Sequence, residues 1–337
     1  MSKKWVVALC LITLMVSSLL TGCGKSDQKN ANSNEKIIIK AAHVTNTDFT
    51  YHIGLQAFAK SLSEKTNGQV EVQIFPNGQL GNDERQLVES LQLGNVTATV
   101  VNSSVVSNFS PKADVYNLPF IFRDLQHLYK VSDGEPGQII AKDLESKGLK
   151  VLSWWNGAPR HVFNSKKSIT TLDDLKGMKF RVMQSPVSIA TFNSLGALAT
   201  PMSGTEVYSG LQQGVIDGAE NNLLFINSSK FYEVANNISL TGHFMEGCPL
   251  LMDLNFFNSQ SPEIQKAILE AAVDGREAMR RYMEKQMEES RKALISKGVN
   301  INEVGNIEAF REAVKPVYKQ MENKIGKDLI EKVQNTK

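Results

Sequence analysis

Five histidines lie far apart in the chain, at positions 43, 52, 127, 161 and 243. None belongs to a His-Glu-x-x-His pattern, which would set two imidazoles and a carboxylate on one helix face around zinc. No Gly-x-Ser-x-Gly turn presents a serine nucleophile, and no glycine-rich phosphate loop or Cys-x-x-Cys redox pair occurs. The common routes to hydrolysis, metal chemistry, nucleotide binding and thiol exchange are missing, so neither a metal nor a cofactor is expected. What remains is recognition by a few placed polar groups. The formal charge is +2, and Lys3 and Lys4 account for it. The rest of the chain is neutral and carries no basic excess for nucleic acid.

Those two lysines precede an apolar run, Trp5 to Leu20. It is shorter than the roughly 20 residues a membrane-spanning helix needs, and it fits the core of an export signal. The run ends in Leu20-Thr21-Gly22-Cys23, which resembles a bacterial lipobox. Residues 1–22 are then a lipoprotein signal peptide, and Cys23 is the acylated lipid anchor. Positions 24–35 (GKSDQKNANSNE) hold no large apolar residue, and 23–35 reads as a flexible tether. With Cys10 removed and Cys23 acylated, Cys248 has no partner for a disulfide and is expected to be a small buried hydrophobe.

The body that follows alternates strands with helices, which predicts an α/β fold. Strands are expected at 36–44, 69–75 (QVEVQIF, strictly alternating), 97–101, 150–155, 162–164 and 178–183. A helix is expected over 49–65, and another runs from an Asn82 or Asp83 cap to Leu93. Shorter helices are expected over 185–195 and 204–213. The expected division is a first lobe over 36–124, a second over 125–215, and return strands with long helices over 216–337. Ser261-Pro262-Glu263 is a strong helix start, and the apolar stripe beyond it persists to Lys297. A continuous helix of that extent measures about 54 Å at ~1.5 Å per residue, enough to bridge both lobes. A break near Gly275 is the alternative.

The segment 175–233 closely resembles the solute receptors of TRAP (tripartite ATP-independent periplasmic) transporters, in the dicarboxylate-receptor (DctP) branch. The resemblance is carried by Leu175-Lys176-Gly177, Arg181-Val182-Met183, Ser185-Pro186, Leu195-Gly196-Ala197, Thr200-Pro201-Met202, Leu211-Gln212-Gln213-Gly214 and Asp217-Gly218-Ala219-Glu220-Asn221. Asn77-Gly78-Gln79-Leu80-Gly81 and Leu118-Pro119-Phe120 extend it upstream, so it covers nearly the whole chain after the signal.

The resemblance implies a two-lobed periplasmic-binding-protein-like fold that closes on a small organic acid. Arginine suits that ligand because its planar fork meets a carboxylate bidentately. By the resemblance, Arg181 grips the ligand carboxylate, Asn221 bonds it, and Arg160 is a second ligand arginine. Glu84, Asn102 and His43 are weaker first-lobe candidates. Trp154 and Trp155 are read either as core or as a stacking surface, and His243 as structural. The implied partners are the ligand and the TRAP permease subunits in the membrane, with the receptor anchored outside the cytoplasm. The Asp217-to-Asn222 run looks like receptors for sugar acids such as glucuronate or galacturonate, with malate or succinate as the alternative. A sensory ligand-binding protein and a sugar-acid lyase are the competing functions.

Overall fold

A computed structural model describes residues 36–337, so Cys23, the signal and the tether lie outside the described residues. Among the described residues, eleven strands form two sheets. The first sheet has the order β2-β1-β3-β10-β4, with β1 Ile37–Ala42, β2 Val70–Phe75, β3 Ala98–Val100, β4 Leu149–Asn156 and β10 Gly247–Asp253. The second has the order β11-β9-β5-β8-β6-β7. Its members are β5 Arg160–Asn164, β6 Lys179–Val182, β7 Leu198–Pro201, β8 Gly218–Asn221, β9 Asn237–Phe244 and β11 Asn300–Glu303. The fold is two-lobed α/β, as expected.

The strands divide between the lobes differently from the expected boundaries. β4 was placed in the second lobe, yet it pairs antiparallel with β10 in the first sheet. Of the strands beyond residue 216, only β10 returns to the first sheet, while β8, β9 and β11 stay in the second. The reason is a double crossing. β4 continues through Gly157, Ala158 and Pro159 into β5, and β9 continues through Met245 and Glu246 into β10. β5 is antiparallel to β9 and β4 to β10, so two adjacent chains pass together from one lobe to the other. The Gly157 amide donates to the Glu246 carbonyl at 2.9 Å and ties the crossings to each other.

A third crossing is the helix Pro262–Ser296, unbroken over 35 residues. Ser261 caps it, its hydroxyl oxygen accepting from the Ile264 amide, and Pro262 occupies the first turn, where its missing N–H costs nothing. Ile264, Ile268, Ala271, Ala272 and Met279 pack with the first helix, Thr50–Lys65, over the first sheet. Leu294 packs instead with Phe163, Ile238 and Val299 of the second. Among the described residues no helix is long and apolar enough to cross a membrane.

Gly275 does not break the long helix, because its place in the packing requires glycine. A Cβ there would stand 2.8 Å from the Trp155 ring and 2.9 Å from the Gly54 carbonyl oxygen. Gly275→Ala gains up to about 1 kcal/mol of helix propensity, but overpacking a filled core costs about 1–3 kcal/mol. The variant is expected to be less stable than the parent, and urea unfolding measures the difference.

Candidate functional site

The two strand crossings form one wall of a cavity of about 490 Å³ between the sheets, within the range of small-molecule sites. Across its mouth the Asn46 amide donates to the Ser228 carbonyl at 3.2 Å, and the Phe49 and Phe225 rings meet edge to face at 5.3 Å. Arg160, Arg181, Asn221, Glu84 and Asn102 all line this cavity. The fold therefore brings together five of the six expected binding residues.

Arg160 opens β5 at the crossing and is buried. Its Nε and Nη2 make a two-pronged bond to the Glu220 carboxylate, with Nη2 to Oε1 at 2.7 Å. Nη2 also donates to the Glu220 carbonyl, and Nη1 donates to Glu246 Oε2, each at 2.9 Å. Glu220 lies on β8 and Glu246 on the neighbouring crossing. Burial disfavours the Glu220 anion, but the Arg160 guanidinium and the His243 ring together outweigh it and hold the carboxyl below its usual value. The same carboxylates raise Arg160 above its usual value against its own burial. His243 Nδ1 bonds Thr241 Oγ1 at 2.7 Å, and its Nε2 stands 3.7 Å from Glu220, so it backs this cluster as a structural group.

Arg181 is different. On β6 (Lys-Phe-Arg-Val), Phe180 and Val182 enter the core, and the alternation of a strand turns Arg181 to the opposite side. Its side chain is only 5 % exposed. Its Nε donates to the Met202 carbonyl at 2.9 Å. Among the described residues, no carboxylate lies within ion-pair distance, and neither η-nitrogen has a protein partner. Burial, helped by the like charge of Arg160, brings the guanidinium down to about 10 against the pull of Glu220, Glu246 and Glu84. Asn221 ends β8 beside it; its Oδ1 accepts from the Asn222 amide, and its Nδ2 has no protein partner among the described residues.

The first lobe contributes acceptors. Glu84 stands in the first turn of the helix Glu84–Gln92, which Asp83 caps through the Gln86 amide. Its Oε2 accepts from the Asn102 amide at 3.0 Å, while Asn102 Nδ2 donates to Glu246 Oε2 at 2.5 Å. Burial and the nearby Glu246 push Glu84 up to about 7, against the Asn102 bond and both arginines. Glu246 is also raised, by burial first and by Glu220 next, although Arg160 opposes both. Glu220 and Glu246 were not among the expected residues. Glu220 stands in the Asp217-to-Asn221 motif next to Asn221, which is its signal in the sequence, whereas no motif marks Glu246.

His43 does not join the site. It is fully buried behind β1, with Nδ1 bonded to Thr45 Oγ1 at 2.9 Å and Nε2 to His52 Nδ1 at 3.0 Å. The strand passes the cleft, but the ring turns toward the first helix, and burial plus His52 lower it to about 4. Neither tryptophan lines the cavity. Trp155 fills the gap between Gly54 and Gly275 and donates to the Ala272 carbonyl, while Trp154 packs on Tyr116. Cys248 is buried, and the Tyr51 hydroxyl donates to its sulfur at 3.1 Å.

A pair of lobes around a cavity holding an unpaired guanidinium suits a receptor for an anion, and the comparisons agree. The family of bacterial extracellular solute-binding proteins, family 7 (DctP), matches residues 41–325. The chain belongs to that family. A solute-binding protein of Verminephrobacter eiseniae is 36 % identical over 285 residues, covering 84 % of each chain. The C4-dicarboxylate-binding periplasmic protein of Rhodobacter capsulatus is 30 % identical, over 88 % of this chain and 90 % of that one. The TRAP periplasmic solute-binding protein of Roseobacter denitrificans, solved with β-D-glucuronate, superposes with a TM-score of 0.86 at 32 % identity. That match covers 89 % of this chain and all of the other.

Within this family 7 protein the two arginines have opposite energetic roles in the empty state. Removing Arg160 strands two buried carboxylates, and breaking a buried pair costs about 3–5 kcal/mol. Removing Arg181 deletes an unpaired buried cation and one hydrogen bond worth about 1 kcal/mol. Without ligand, Arg160→Met is expected to destabilise by at least about 3 kcal/mol, and Arg181→Met to be neutral or stabilising. Urea titration of the two variants tests the contrast.

Proposed function

We propose that the protein is an extracytoplasmic receptor of a TRAP transporter that captures a sugar monoacid, such as a hexuronate, and hands it to the membrane permease without transforming it. The observation that carries this reading is Arg181: among the described residues, a buried cation with free donors, no carboxylate in contact, and a cavity in front of it. Leaving such a charge uncompensated costs several kcal/mol, and a ligand carboxylate received bidentately removes that cost. Asn221, which lines the same cavity and keeps Nδ2 without a protein partner among the described residues, donates to the same group in this reading. Arg160, already held by Glu220 and Glu246, shapes the pocket and has at most one N–H left for the ligand.

The remaining wall favours a monoacid over a dicarboxylate. Glu84 and Glu246 are hydrogen-bond acceptors when ionised, suited to sugar hydroxyls and hostile to a second carboxylate. The glucuronate-bound structure supports the same choice, while the C4-dicarboxylate relative keeps malate and succinate as the competing ligands. The Leu20-to-Cys23 pattern supports a lipid anchor on the outer face of a membrane.

Glucuronate or galacturonate should raise the melting temperature by mass action, by the equivalent of about 2.7 kcal/mol at a hundred times Kd. Neutral hexoses should not, and succinate should bind at least about tenfold more weakly, a difference of ~1.4 kcal/mol. Arg181→Ala should weaken uronate binding about 30-fold or more, since removing one partner of a desolvated charge pair costs about 2–5 kcal/mol. Arg181→Lys should restore little, because a point ammonium cannot reproduce the fork. Calorimetry on the folded variants decides it, and unchanged affinity in Arg181→Ala, or consumption of the bound acid, refutes the reading. Cys23→Ser should move the protein from the membrane fraction to the soluble one; persistence in the membrane fraction would refute the anchor.

A further inference from the structure

Two buried guanidiniums, Arg160 and Arg181, two buried carboxylates, Glu220 and Glu246, and the half-buried Glu84 form one charged cluster at the cleft. Arg160 is committed to Glu220 and Glu246 by direct contact. Arg181 contacts none of the three, but in the empty cleft its field favours the ionised form of Glu84. A captured acid changes this. Its carboxylate takes over the field of Arg181 and brings a fourth negative group into a space that closure dries.

Glu84 and Glu246 are the groups that must respond. Both are held by one residue, Asn102, whose backbone amide bonds Glu84 and whose side-chain amide bonds Glu246. The ionisable groups facing Glu246 are Glu84 from the helix after Asp83, Arg160 on β5, Arg181 on β6 and Glu220 on β8. Tyr51 on the first helix and Cys248 on β10 complete the set. Tyr51 and Cys248 are both raised by burial and stay neutral near pH 7. Two further cations line the cavity, Arg85, which pairs with Glu89, and Lys230; among the described residues neither makes an ion pair with Glu84 or Glu246, so the added charge is met from solvent.

We propose that Glu84 and Glu246 form a proton-accepting pair, so that capture of each acid anion takes up a proton from water and the receptor carries the equivalent of the undissociated acid. The proton adds to one carboxylate of the pair, and no other bond is made or broken. The new carboxyl O–H becomes a donor that an ether or hydroxyl oxygen of the ligand can accept. This rests on the proposed sugar-acid reading and adds a proton to it.

The sign follows from linkage. In the empty cleft Glu84 titrates at about 7, after burial raises it and Arg181 and Arg160 pull it back. The ligand cancels the pull of Arg181, so the bound value is higher than the free one. Affinity is then constant below the free value and falls as pH rises from about 7 toward the bound value, by up to about tenfold per unit. A sugar-acid carboxylate titrates far below this window and does not contribute.

Calorimetry of D-glucuronate binding in phosphate and in Tris, which differ in ionisation enthalpy, reads the proton directly. The wild-type protein should take up between about half and one proton near pH 7.5–8, and its Kd should weaken about five- to tenfold from pH 7 to 8.5. Glutamine reproduces the protonated carboxyl, since its Oε1 can accept the Asn102 bonds. Glu84→Gln and Glu246→Gln should each reduce the uptake, and the double variant should bind with no buffer dependence and a flat pH profile. Tight wild-type binding with no buffer dependence overturns the proposal, as does undiminished uptake in the double variant. The wild-type measurement decides the matter even if the double variant does not fold. Failure of every sugar acid tested to bind overturns the functional reading itself, and is distinguished by the absence of any heat or thermal shift.

Discussion

Two arginines are buried beside each other, and the nearby carboxylates divide between them unequally. Arg160 takes Glu220 and Glu246 and becomes part of the framework. Among the described residues Arg181 donates only to the Met202 carbonyl and is left as the half of the cluster without a contacting carboxylate. A protein that paired both would be more stable empty and would have no reason to hold an anion. The binding energy for the ligand is, in this sense, stored as the unmet electrostatic demand of one strand residue.

The placement of that cluster links recognition to movement. Arg160 and Glu246 sit on the two crossings that join the lobes, and Gly157 bonds across them. Arg181 and Asn221 belong to the second sheet, whereas Glu84 and Asn102 extend from the first. A ligand that touches both sets is best satisfied when the sheets are close, which makes closure a population shift driven by differential contact. The long helix Pro262–Ser296 follows both lobes, with Gly275 seated on Trp155 near the first and Leu294 in the core of the second. It can register relative motion of the lobes along its whole length.

Much of this was legible in the sequence because it is local. Alternation marked β2, strand-like runs marked β1 and β6, Asp83 and Ser261 announced their helices, and the Arg-Val-Met and Glu-Asn pieces pointed to Arg181 and Asn221. Their side-chain directions follow from the period of a strand and from the residues immediately around them. Which strands pair was not legible. β4 joins the first sheet only because β10 returns to it from about a hundred residues downstream, and apolar runs do not name their partners. His43 shows the same limit at one residue: its strand is where expected, but the ring follows Thr45 and His52 rather than the cleft.

The sequence by itself determined the α/β alternation and the family, and it pointed to Arg181 and Asn221, because each depends on residue type and short spacing. Only the tertiary structure decided that Arg160 is spent on Glu220 and Glu246, that Asn102 is held between two glutamates, and that Arg181 stands unpaired. Those contacts join residues 18 to 144 positions apart. Electrostatic pairing depends on distance in space and on the loss of water, neither of which is written in the order of the residues.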